Sequence, residues 1–341
     1  MYGEQNKKMI KVFCVDLGYS LKKEYRRWKE NHHAYPPQAL YGINHFCEYG
    51  IEPVFEMCEH KDFYKKKYIF IDEIIKAVSL FRYRNDYDAI YIPHAHYSRW
   101  IVVLHWMRII KVPIVVCLHN KNNLWKLIYA CDHVITINPE LAHEMKQKYR
   151  AISIDYIPLL PEKKQFSATK IKYDVVSIGN TNRDYSTLIE AMSKLPYKCC
   201  IVTTNELHEK LPSNVVVINN KQDYETCLNL YLQSKVIVLP VKKETSKGVF
   251  GLTSLVDALY VCKPLIVSKT QGIGVPVEEL KLGYEVPLGD ADEMKNAIEK
   301  IMEDRAEYDK IQGNMYKFRE EHNMSKSAEE ICSILKEVVS R

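Results

Sequence analysis

The sequence has no Cys-x-x-Cys pair, no internal repeat and no uninterrupted apolar run long enough to cross a membrane. Its ten cysteines are spread along the chain, and several stand inside strand-like apolar runs such as KVFCV and IVVCL. This usage is typical of reduced cytosolic thiols that pack as small hydrophobes, so we predict neither disulfides nor a structural zinc site. The first residues, MYGEQNKK, have no apolar core behind their lysines, and we expect no secretory signal there.

The most apolar stretch, WIVVLHWMRIIKVPIVVCL at residues 100–118, is interrupted by His105, Arg108, Lys111 and Pro113. These interruptions favour a buried helix, a tight turn and a buried strand over a membrane span. For RWIVVLHWMRII, residues 99–110, an amphipathic helix lying in a membrane surface is the alternative.

Charge is unevenly distributed along the 341 residues, although the formal net charge is only +5. Residues 1–160 contain 23 Lys and Arg against 17 Asp and Glu, and ten of the twelve histidines. A basic half of this kind fits either an ordinary solvated surface or a position near a membrane or an anionic acceptor. The aromatic residues are scattered and do not alternate with a basic stripe, so we predict no nucleic-acid partner.

Short β-rich runs alternate with helical patterns along most of the chain. Near-continuous apolar strands separated by helices predict an α/β fold with parallel sheets that are covered on both faces. The predicted strands are 8–16, 51–57, 88–93, 112–118, 132–138 and 151–158, then 173–179, 198–204, 214–220, 235–241 and 264–269. The predicted helices are 38–49, 68–83, 97–110, 122–130 and 139–149, then 184–194, 223–233, 253–262 and 290–304. The polar segment 159–172 is predicted to be a linker between two domains, and 305–341 to form two helices.

The segment KGVFGLTSLVDALYVCKPLIVSKT, residues 247–270, predicts a helix N-terminus after a strand. We expect Thr253 to be the N-cap, Gly251 to allow a close turn, and the amides near Leu252 and Ser254 to face outward. Free N–H groups and the positive end of the helix dipole favour a phosphate, although many helices begin this way. Asp257, one turn further on, is either an acid placed near a helix start or a carboxylate that accepts from a ribose diol.

A second candidate loop is SIGNTNRDYSTLIEAM, residues 177–192. A strand is predicted to end at Gly179 and a helix to begin near Asp184, with Asn180, Thr181 and Arg183 between them. The Arg183 guanidinium is either a surface group or a forked donor to phosphate oxygens. Because ligands bind beyond the carboxyl ends of strands in such sheets, the two loops together indicate a nucleoside diphosphate site.

Four stretches, in this order and spacing, resemble the C-terminal half of family 4 glycosyltransferases with the GT-B fold. They are GNTNRDYSTLIEAM, VIVLPV, GLTSLVDALYVCKPLIVS and LGYEVPLGDADEMKNAIEKIMED. The resemblance covers about 130 residues, and PPQALYGINHFCEYGIEP and VPIVVCLHN agree more loosely with the N-terminal half. It implies a GT-B fold: two Rossmann-like domains with parallel sheets facing across a cleft, and a C-terminal helical tail. Residues 1–160 would bind the acceptor, 161–324 the sugar nucleotide, and helix 325–341 would cross back to the first domain.

Two positions depart from the family pattern. The family often carries two glutamates with seven residues between them, whereas this sequence has Val249 at the first position and Asp257 at the second. The family's frequent arginine after the strand glycine is Asn180 here, which leaves Arg183 as the cation. Exact donor contacts therefore do not transfer, and a non-catalytic GT-B protein that binds sugar nucleotides stays open as the alternative.

A lone histidine after a buried strand, such as His119 after the strand 112–118, is more often structural, but the resemblance implies that it contacts the transferred sugar. His94, His96 and Arg99 follow the neighbouring strand and are candidates for the acceptor side. Asp16 and Gly18 follow the first strand and belong to the same edge. Although His94 and His96 are two residues apart, no acid or cysteine is close in sequence, so we predict no metal and no cofactor.

The reaction that the resemblance implies is transfer of a sugar from a nucleoside diphosphate sugar, with UDP favoured, and with retention of configuration. Arg183, Lys243, Lys247 and the amides near Thr253 and Ser254 would stabilise the leaving diphosphate without metal. The acceptor is expected to be a glycan, a lipid-linked molecule or a small molecule. The protein is expected to be cytoplasmic, with peripheral contact at the inner membrane face left open. A sugar-nucleotide epimerase of the same fold is a further, weaker alternative.

Overall fold

A computed structural model describes residues 9–15, 20–30, 37–55, 78, 80–82, 85–95, 99–119, 126–242, 251–270 and 274–341. The chain forms two compact units. The first unit comprises residues 1–159 and 324–341, and the second unit comprises residues 160–323. The described residues of both units alternate strand and helix, as the apolar runs predict, and each unit has a sheet of six parallel strands.

The sheet of the first unit has the strand order β2-β1-β3-β4-β5-β6. Its strands are β1 Ile10–Cys14, β2 Ile51–Val54, β3 Ala89–Ile92, β4 Ile114–Leu118, β5 His133–Thr136 and β6 Ser153–Tyr156. The central strands β3, β4 and β5 are buried throughout, because helices or loops cover both faces of a parallel sheet. The order reverses between β1 and β3, so the carboxyl ends of these two strands flank the switch point of this sheet.

Among the described residues, the helices of the first unit differ from prediction in two places; the helix predicted over 68–83 lies largely outside those residues. The α-helices are α1 Leu21–Glu30, α2 Arg99–Trp106 and α3 Pro139–Lys148, and the 3-10 helices are Pro37–Leu40, Ile43–Tyr49 and Lys126–Ala130. Helix α1 was not predicted, because its face is dominated by charged residues. The single helix predicted over 38–49 is wrong: Tyr41 and Gly42 take left-handed φ values of 50° and 83° and divide it.

The second unit has the strand order β12-β11-β10-β7-β8-β9. Its strands are β7 Tyr173–Ile178, β8 Cys199–Val202, β9 Val215–Ile218, β10 Ser234–Leu239, β11 Leu265–Ser268 and β12 Gly283–Val286. Its helices are α4 Tyr185–Ser193, α5 Tyr224–Leu232, α6 Leu252–Val261, α7 Ala291–Glu303 and α8 Arg305–Glu321. Residues 157–172, which precede β7, form neither helix nor strand.

Strand β12 was not predicted, because it is short and contains Gly283 and Glu285. It pairs in parallel with β11 at the sheet edge. At Gly283 an added Cβ would lie 1.8 Å from the carbonyl oxygen of Leu265, so only glycine allows the two backbones to approach this closely.

The C-terminal helix α9, Met324–Ser340, belongs to the first unit. The Ser327 hydroxyl donates to the Pro158 carbonyl at 2.7 Å, and Ala328 packs against Gly42, where an added Cβ would lie 3.2 Å from the Ala328 Cβ. None of the helices in the described part of the chain combines the length and apolarity that crossing a bilayer requires.

Candidate functional site

The switch point of the second sheet lies between β7 and β10, where the strand order reverses. The loop 179–184 follows β7, and the segment leading to helix α6 follows β10. Arg183 forms an antiparallel bridge with Val241, and the Lys242 amide donates to the Asn182 carbonyl at 3.1 Å. Backbone hydrogen bonds therefore fix the β7 loop against the end of β10, at the edge where α/β sheets bind ligands.

Arg183 connects this loop to helix α6. Its Nη1 donates to the Thr181 carbonyl at 3.1 Å and its Nη2 donates to the Ser254 hydroxyl at 3.0 Å. The Ser254 hydroxyl in turn donates to the Ile178 carbonyl at 3.1 Å, at the end of β7. The Arg183 Nε is buried without an acceptor among the described residues. A guanidinium has five N–H donors, so this fork keeps donors in reserve for an anion.

Gly179 makes room for the guanidinium. An added Cβ there would lie 2.7 Å from both Nε and Nη2 of Arg183, closer than real Cβ contacts. The Gly179 carbonyl accepts from the Tyr185 hydroxyl at 2.6 Å. Burial raises the pKa of Tyr185 to about 12, so its phenol stays protonated as a donor. Gly179 is therefore needed for the space that the Arg183 side chain occupies as well as for the turn itself.

The N-terminus of α6 differs from those of the other helices in the second unit. Helices α4, α5, α7 and α8 begin after Asp184, Asp223, Asp290 and Asp304, each of which accepts from a backbone N–H of the first turn. Helix α6 begins after Gly251, at φ 86° and ψ −5°, and no described side chain caps it. The hydrogen bond from the Leu255 amide to the Gly251 carbonyl, at 2.9 Å, closes the first turn of the helix.

The prediction that Thr253 is the N-cap of this helix is therefore wrong. The helix starts earlier, at Leu252, because Gly251 takes a left-handed conformation that a threonine disfavours. The amides of Leu252, Thr253 and Ser254 therefore lie in the first turn of α6, and the N-cap residue of this helix, Gly251, has no side chain. Such a helix end attracts anions through its N–H groups and its dipole.

Asp257 is buried in α6, one turn after Thr253. The Tyr224 hydroxyl, at the first position of α5, donates to the Asp257 Oδ1 at 3.1 Å. Burial, and next the Asp257 carboxylate, raise the pKa of Tyr224 far above its ordinary value, so the phenol remains a donor. The geometry thus supplies an orienting partner for Asp257; its contact with a ribose stays a prediction.

Asn180 ties the β7 loop to the loop after β8. Its Oδ1 accepts from the Thr203 hydroxyl at 3.1 Å and from the Thr204 amide at 2.6 Å, and its carbonyl accepts from Asn205 Nδ2 at 2.7 Å. The side-chain oxygen therefore holds the local scaffold. The predicted roles of Asn180 and Thr181 in donor binding stay predictions.

The corresponding edge of the first sheet carries aromatic side chains. His119, directly after β4, donates from Nε2 to the Pro93 carbonyl at 3.0 Å, because a carbonyl can only accept. Its ring centroid lies 4.1 Å from that of His94 and 5.1 Å from that of Tyr41. Burial, then the neighbouring His94, lower the pKa of His119 to about 3, against the opposite influence of Pro93. The imidazole is therefore neutral, and its Nδ1 is an acceptor.

Several predicted site residues lie outside the described residues: Asp16, Gly18, His96, Lys243 and Lys247. Val249, where the sequence departs from the family pattern, also lies outside them. Arg99 begins helix α2, and its side chain is likewise outside the description. Within the described ranges no group of three His, Cys, Asp or Glu side chains is arranged to hold a metal ion.

Sequence reasoning missed Tyr185 and Tyr224. Both occupy the first position of a helix that follows a strand of the second sheet, directly after a capping aspartate. The pair Asp-Tyr at a predicted helix start, in DYSTL and DYETC, was the available signal. It could show that the tyrosines lie near the carboxyl edge, but not which groups they bond.

The second unit matches a known family in sequence. Residues 160–318 match the family model described as glycosyl transferases group 1. Among proteins of curated function, none matches the sequence of this chain.

Solved structures with a similar fold span nearly the whole chain. The sucrose-phosphate synthase of Thermosynechococcus elongatus is 14% identical with a TM-score of 0.68, over 97% of this chain and 99% of that one. A glycosyltransferase from Rickettsia africae is 14% identical with a TM-score of 0.67, over 98% and 99%. HepE of Anabaena, solved in complex with UDP-glucose, is 15% identical with a TM-score of 0.64, over 96% and 100%.

Two parallel six-stranded sheets and these similarities define the class: the chain has the GT-B fold. Residues 160–318 of its second unit, which carries the Arg183 loop and helix α6, match the model of the glycosyl transferases group 1 family, over slightly less than half of the chain. Both conclusions agree with the resemblance found in the sequence. Assignment to family 4 in particular stays a prediction.

Proposed function

We propose that this protein is a glycosyltransferase that moves a sugar from a nucleoside diphosphate sugar to an acceptor, with retention of configuration. The observation that carries the proposal is the pairing of Arg183 with the N-terminus of α6 at the switch point of the second sheet. A guanidinium and uncapped amides form the donor set that a pyrophosphate requires.

The favoured donor is a UDP-sugar. HepE of Anabaena, which shares the fold, has been solved with UDP and with UDP-glucose. In this chain the diphosphate would contact Arg183 and the amides of Thr253 and Ser254. The ribose would contact Asp257, which Tyr224 orients. Lys243 and Lys247 are the proposed additional cations.

In the proposed reaction the bond between the anomeric carbon and the donor phosphate oxygen breaks, and a bond from that carbon to an acceptor hydroxyl oxygen forms. The electron pair of the broken bond goes to the phosphate, where Arg183 and the helix amides stabilise the charge. On the same face of the sugar, the departing phosphate oxygen takes the acceptor proton. This route needs no protein nucleophile and no metal, and we nominate neither.

His119 is the proposed sugar contact of the first unit. Because its Nε2–H is held by Pro93, its Nδ1 is left as an acceptor that would orient a sugar hydroxyl. A neutral ring suits this role, since the low pKa keeps the imidazole uncharged at working pH. The proposed acceptor side comprises His94, whose ring contacts that of His119 at a tilt, together with His96, Arg99, Asp16 and Gly18.

The proposed acceptor is a glycan, a lipid-linked carbohydrate or a small molecule. The cysteines of the described residues are free thiols, which supports a reducing, cytoplasmic setting. The basic residues 1–160 favour an anionic neighbour, and we propose peripheral contact with the inner membrane face.

A thermal-shift screen with UDP, GDP and ADP, each with and without a sugar, tests the donor site. A ligand that binds only the folded state raises the melting temperature, and we expect the largest rise with a uridine nucleotide. The same rise should be lost in Arg183→Ala. No response to any nucleotide would count against the proposal.

Turnover separates the enzyme from its non-catalytic alternative. Release of nucleoside diphosphate from the stabilising donor, with and without candidate acceptors, is expected for a transferase. Stabilisation without release under all conditions would favour a regulatory protein that only binds sugar nucleotides. Release of a free epimerised sugar would indicate an epimerase instead.

A further inference from the structure

A turn at the end of helix α2, residues 106–111, presents apolar and cationic side chains together on the surface of the first unit. Helix α2 buries Ile101 and Val102, whereas its end exposes Trp106 to 67% and the next residue, Met107, to 55%. Ile110 is again fully buried. The exposed apolar groups are therefore confined to the turn, which we name the tip.

The tip is an ordered structure. The Met107 amide donates to the Val103 carbonyl at 2.9 Å, the Arg108 amide to the His105 carbonyl at 2.8 Å, and the Ile109 amide to the Leu104 carbonyl at 2.9 Å. Arg108 takes a left-handed φ of 59°, at a helix end where glycine is favoured. Glycine would relieve the backbone strain at this position, so the presence of an arginine suggests a role for the Arg108 side chain.

Aromatic and cationic groups surround the tip. An open pocket of about 650 Å³ is lined by Trp106, Arg108, Lys111 and Tyr129, with Tyr129 exposed to 58%. The Tyr129 ring lies 5.1 Å from that of Tyr149. Neither Arg108 nor Lys111 has an ion-pair partner in the described part of the chain. Tryptophan and tyrosine beside unpaired cations are typical of surfaces that lie at the headgroup level of a bilayer.

The carboxylate that lines this pocket, that of Asp132, already has hydrogen-bond partners within the protein. Asp132 accepts from the Ile114 amide at 2.7 Å and lies 3.1 Å from the His105 Nε2. Burial raises the pKa of Asp132, but the hydrogen bonds from His105 and Ile114 outweigh it, so the net pKa is lowered and the carboxylate stays charged. Phosphates would therefore meet the rim cations, Arg108 and Lys111, and would not enter the floor of the pocket.

We infer that the tip is a membrane-docking surface that inserts Trp106 and Met107 among the headgroups of an anionic bilayer. This inference rests on the membrane contact in the proposed function and gives it a location. The charge of the rim decides between occupants: two copies of the tip would bring like charges together, whereas an anionic lipid surface complements them. A dimer through this surface is the competing outcome.

The test is co-sedimentation of the full chain with phosphatidylcholine vesicles, with and without phosphatidylglycerol. We expect binding that requires phosphatidylglycerol and weakens with added salt. Arg108→Gly should lower the partition coefficient roughly fivefold, because one cation near the surface is lost. The same change relieves the left-handed backbone, so the variant should fold at least as well as the parent. Met107→Ser should weaken binding through lost insertion.

The second unit offers a matched control. Lys281 is an exposed cation with a left-handed φ of 56°, and the preceding Leu280 is 38% exposed. Lys281→Gly and Leu280→Ser repeat the two substitutions elsewhere and should leave vesicle binding unchanged. Trp106→Phe should remove a vesicle-induced blue shift of tryptophan fluorescence.

Three results would overturn the inference: no binding to anionic vesicles, equal losses in the tip and control variants, or a change of oligomeric state in the tip variants measured by light scattering. The nucleotide-induced thermal shift should be the same in parent and tip variants. If the chain binds vesicles but responds to no nucleotide, the docking surface is supported and the proposed glycosyltransferase function is not.

Discussion

The two sheets end in different chemistry at their carboxyl edges. In the second unit the switch point holds a guanidinium, a serine hydroxyl and the open end of a helix. In the first unit the residues after β3 and β4 are two imidazoles in tilted contact, beside a tyrosine. One edge therefore presents a cation and hydrogen-bond donors, which suit negative charge, and the other presents aromatic rings.

The contrast shows that one architecture can carry different chemistry at the carboxyl edges of its two sheets. Both units use parallel strands and place functional residues directly after them, so the frame does not determine the ligand. The loops differ: an aspartate caps each of four helices of the second unit, whereas α6 follows Gly251, which has no side chain, and an anion is its proposed partner. The predictions below test each edge in turn.

The largest effect is expected from Arg183→Ala. Loss of the fork removes donors to the leaving diphosphate, and we expect sugar transfer to fall by roughly 10²–10³-fold, measured as nucleoside diphosphate release. Arg183→Lys should recover only part, because an ammonium lacks the fork. The control is Arg305→Ala, which removes an exposed ion pair with Asp309. Full activity in Arg183→Ala would remove the proposed centre from this edge.

A smaller loss is expected from Gly179→Ala. The new methyl group would overlap the guanidinium, since an ideal Cβ lies 2.7 Å from the Arg183 Nε. We expect Arg183 to shift and nucleotide affinity to drop by about tenfold, measured by calorimetry. Gly289→Ala is the matched control, a glycine at φ 71° with open space around it. An equal loss of affinity in both variants would show that backbone strain, not displacement of Arg183, is responsible.

The pH dependence of stability tests the protonation state of His119 in the first unit. Burial and His94 lower the pKa of His119 to about 3, so between pH 6.5 and 3 the unfolded chain binds a proton that the folded chain does not. The contribution is full above pH 6.5 and is lost as the pH falls, with a slope of at most about 1.4 kcal/mol per pH unit. His119→Gln should flatten the unfolding free energy between pH 6.5 and 5. His208→Asn, an exposed histidine of the second unit, should keep the parental slope.

The smallest effect is expected from Tyr224→Phe. Loss of the hydrogen bond to Asp257 should weaken nucleotide binding by about 1 kcal/mol, or roughly fivefold. If Asp257 contacts the ribose, the variant should also lose discrimination against 2′-deoxy nucleotides, which a purely structural role would not change. An unchanged preference for the ribose form would leave Tyr224 with a structural role only.

Much of the fold could be predicted from apolar runs. Strands β3, β4, β7 and β10 were predicted because their buried faces require continuous β-branched residues. Strand β12 was missed, since its place depends on a backbone approach between Gly283 and Leu265 that no local pattern encodes. The break in the helix predicted over 38–49 likewise involves a distant contact, between Gly42 and Ala328 of α9.

The site was predictable in part for the same reason. Gly179, Arg183, Gly251 and Ser254 follow strand ends, and parallel strands bring such residues to one edge. Their partners were not predictable: the Arg183–Ser254 bond joins residues 71 positions apart, and Tyr224 meets Asp257 across 33 positions. The N-cap of α6 was misassigned because threonine is a common cap, whereas the backbone conformation at Gly251 decides where the helix starts.

Local sequence patterns set which segments are buried strands, where each strand stops and which polar side chains follow, because burial and turn chemistry act over a few neighbouring residues. Packing in three dimensions places the Arg183 guanidinium over Gly179, starts helix α6 after a glycine instead of a capping side chain, and leaves Trp106 and Met107 exposed. Those outcomes depend on packing between segments far apart in the chain, because the packing energy depends on which atoms are close in space and not on which residues are close in sequence.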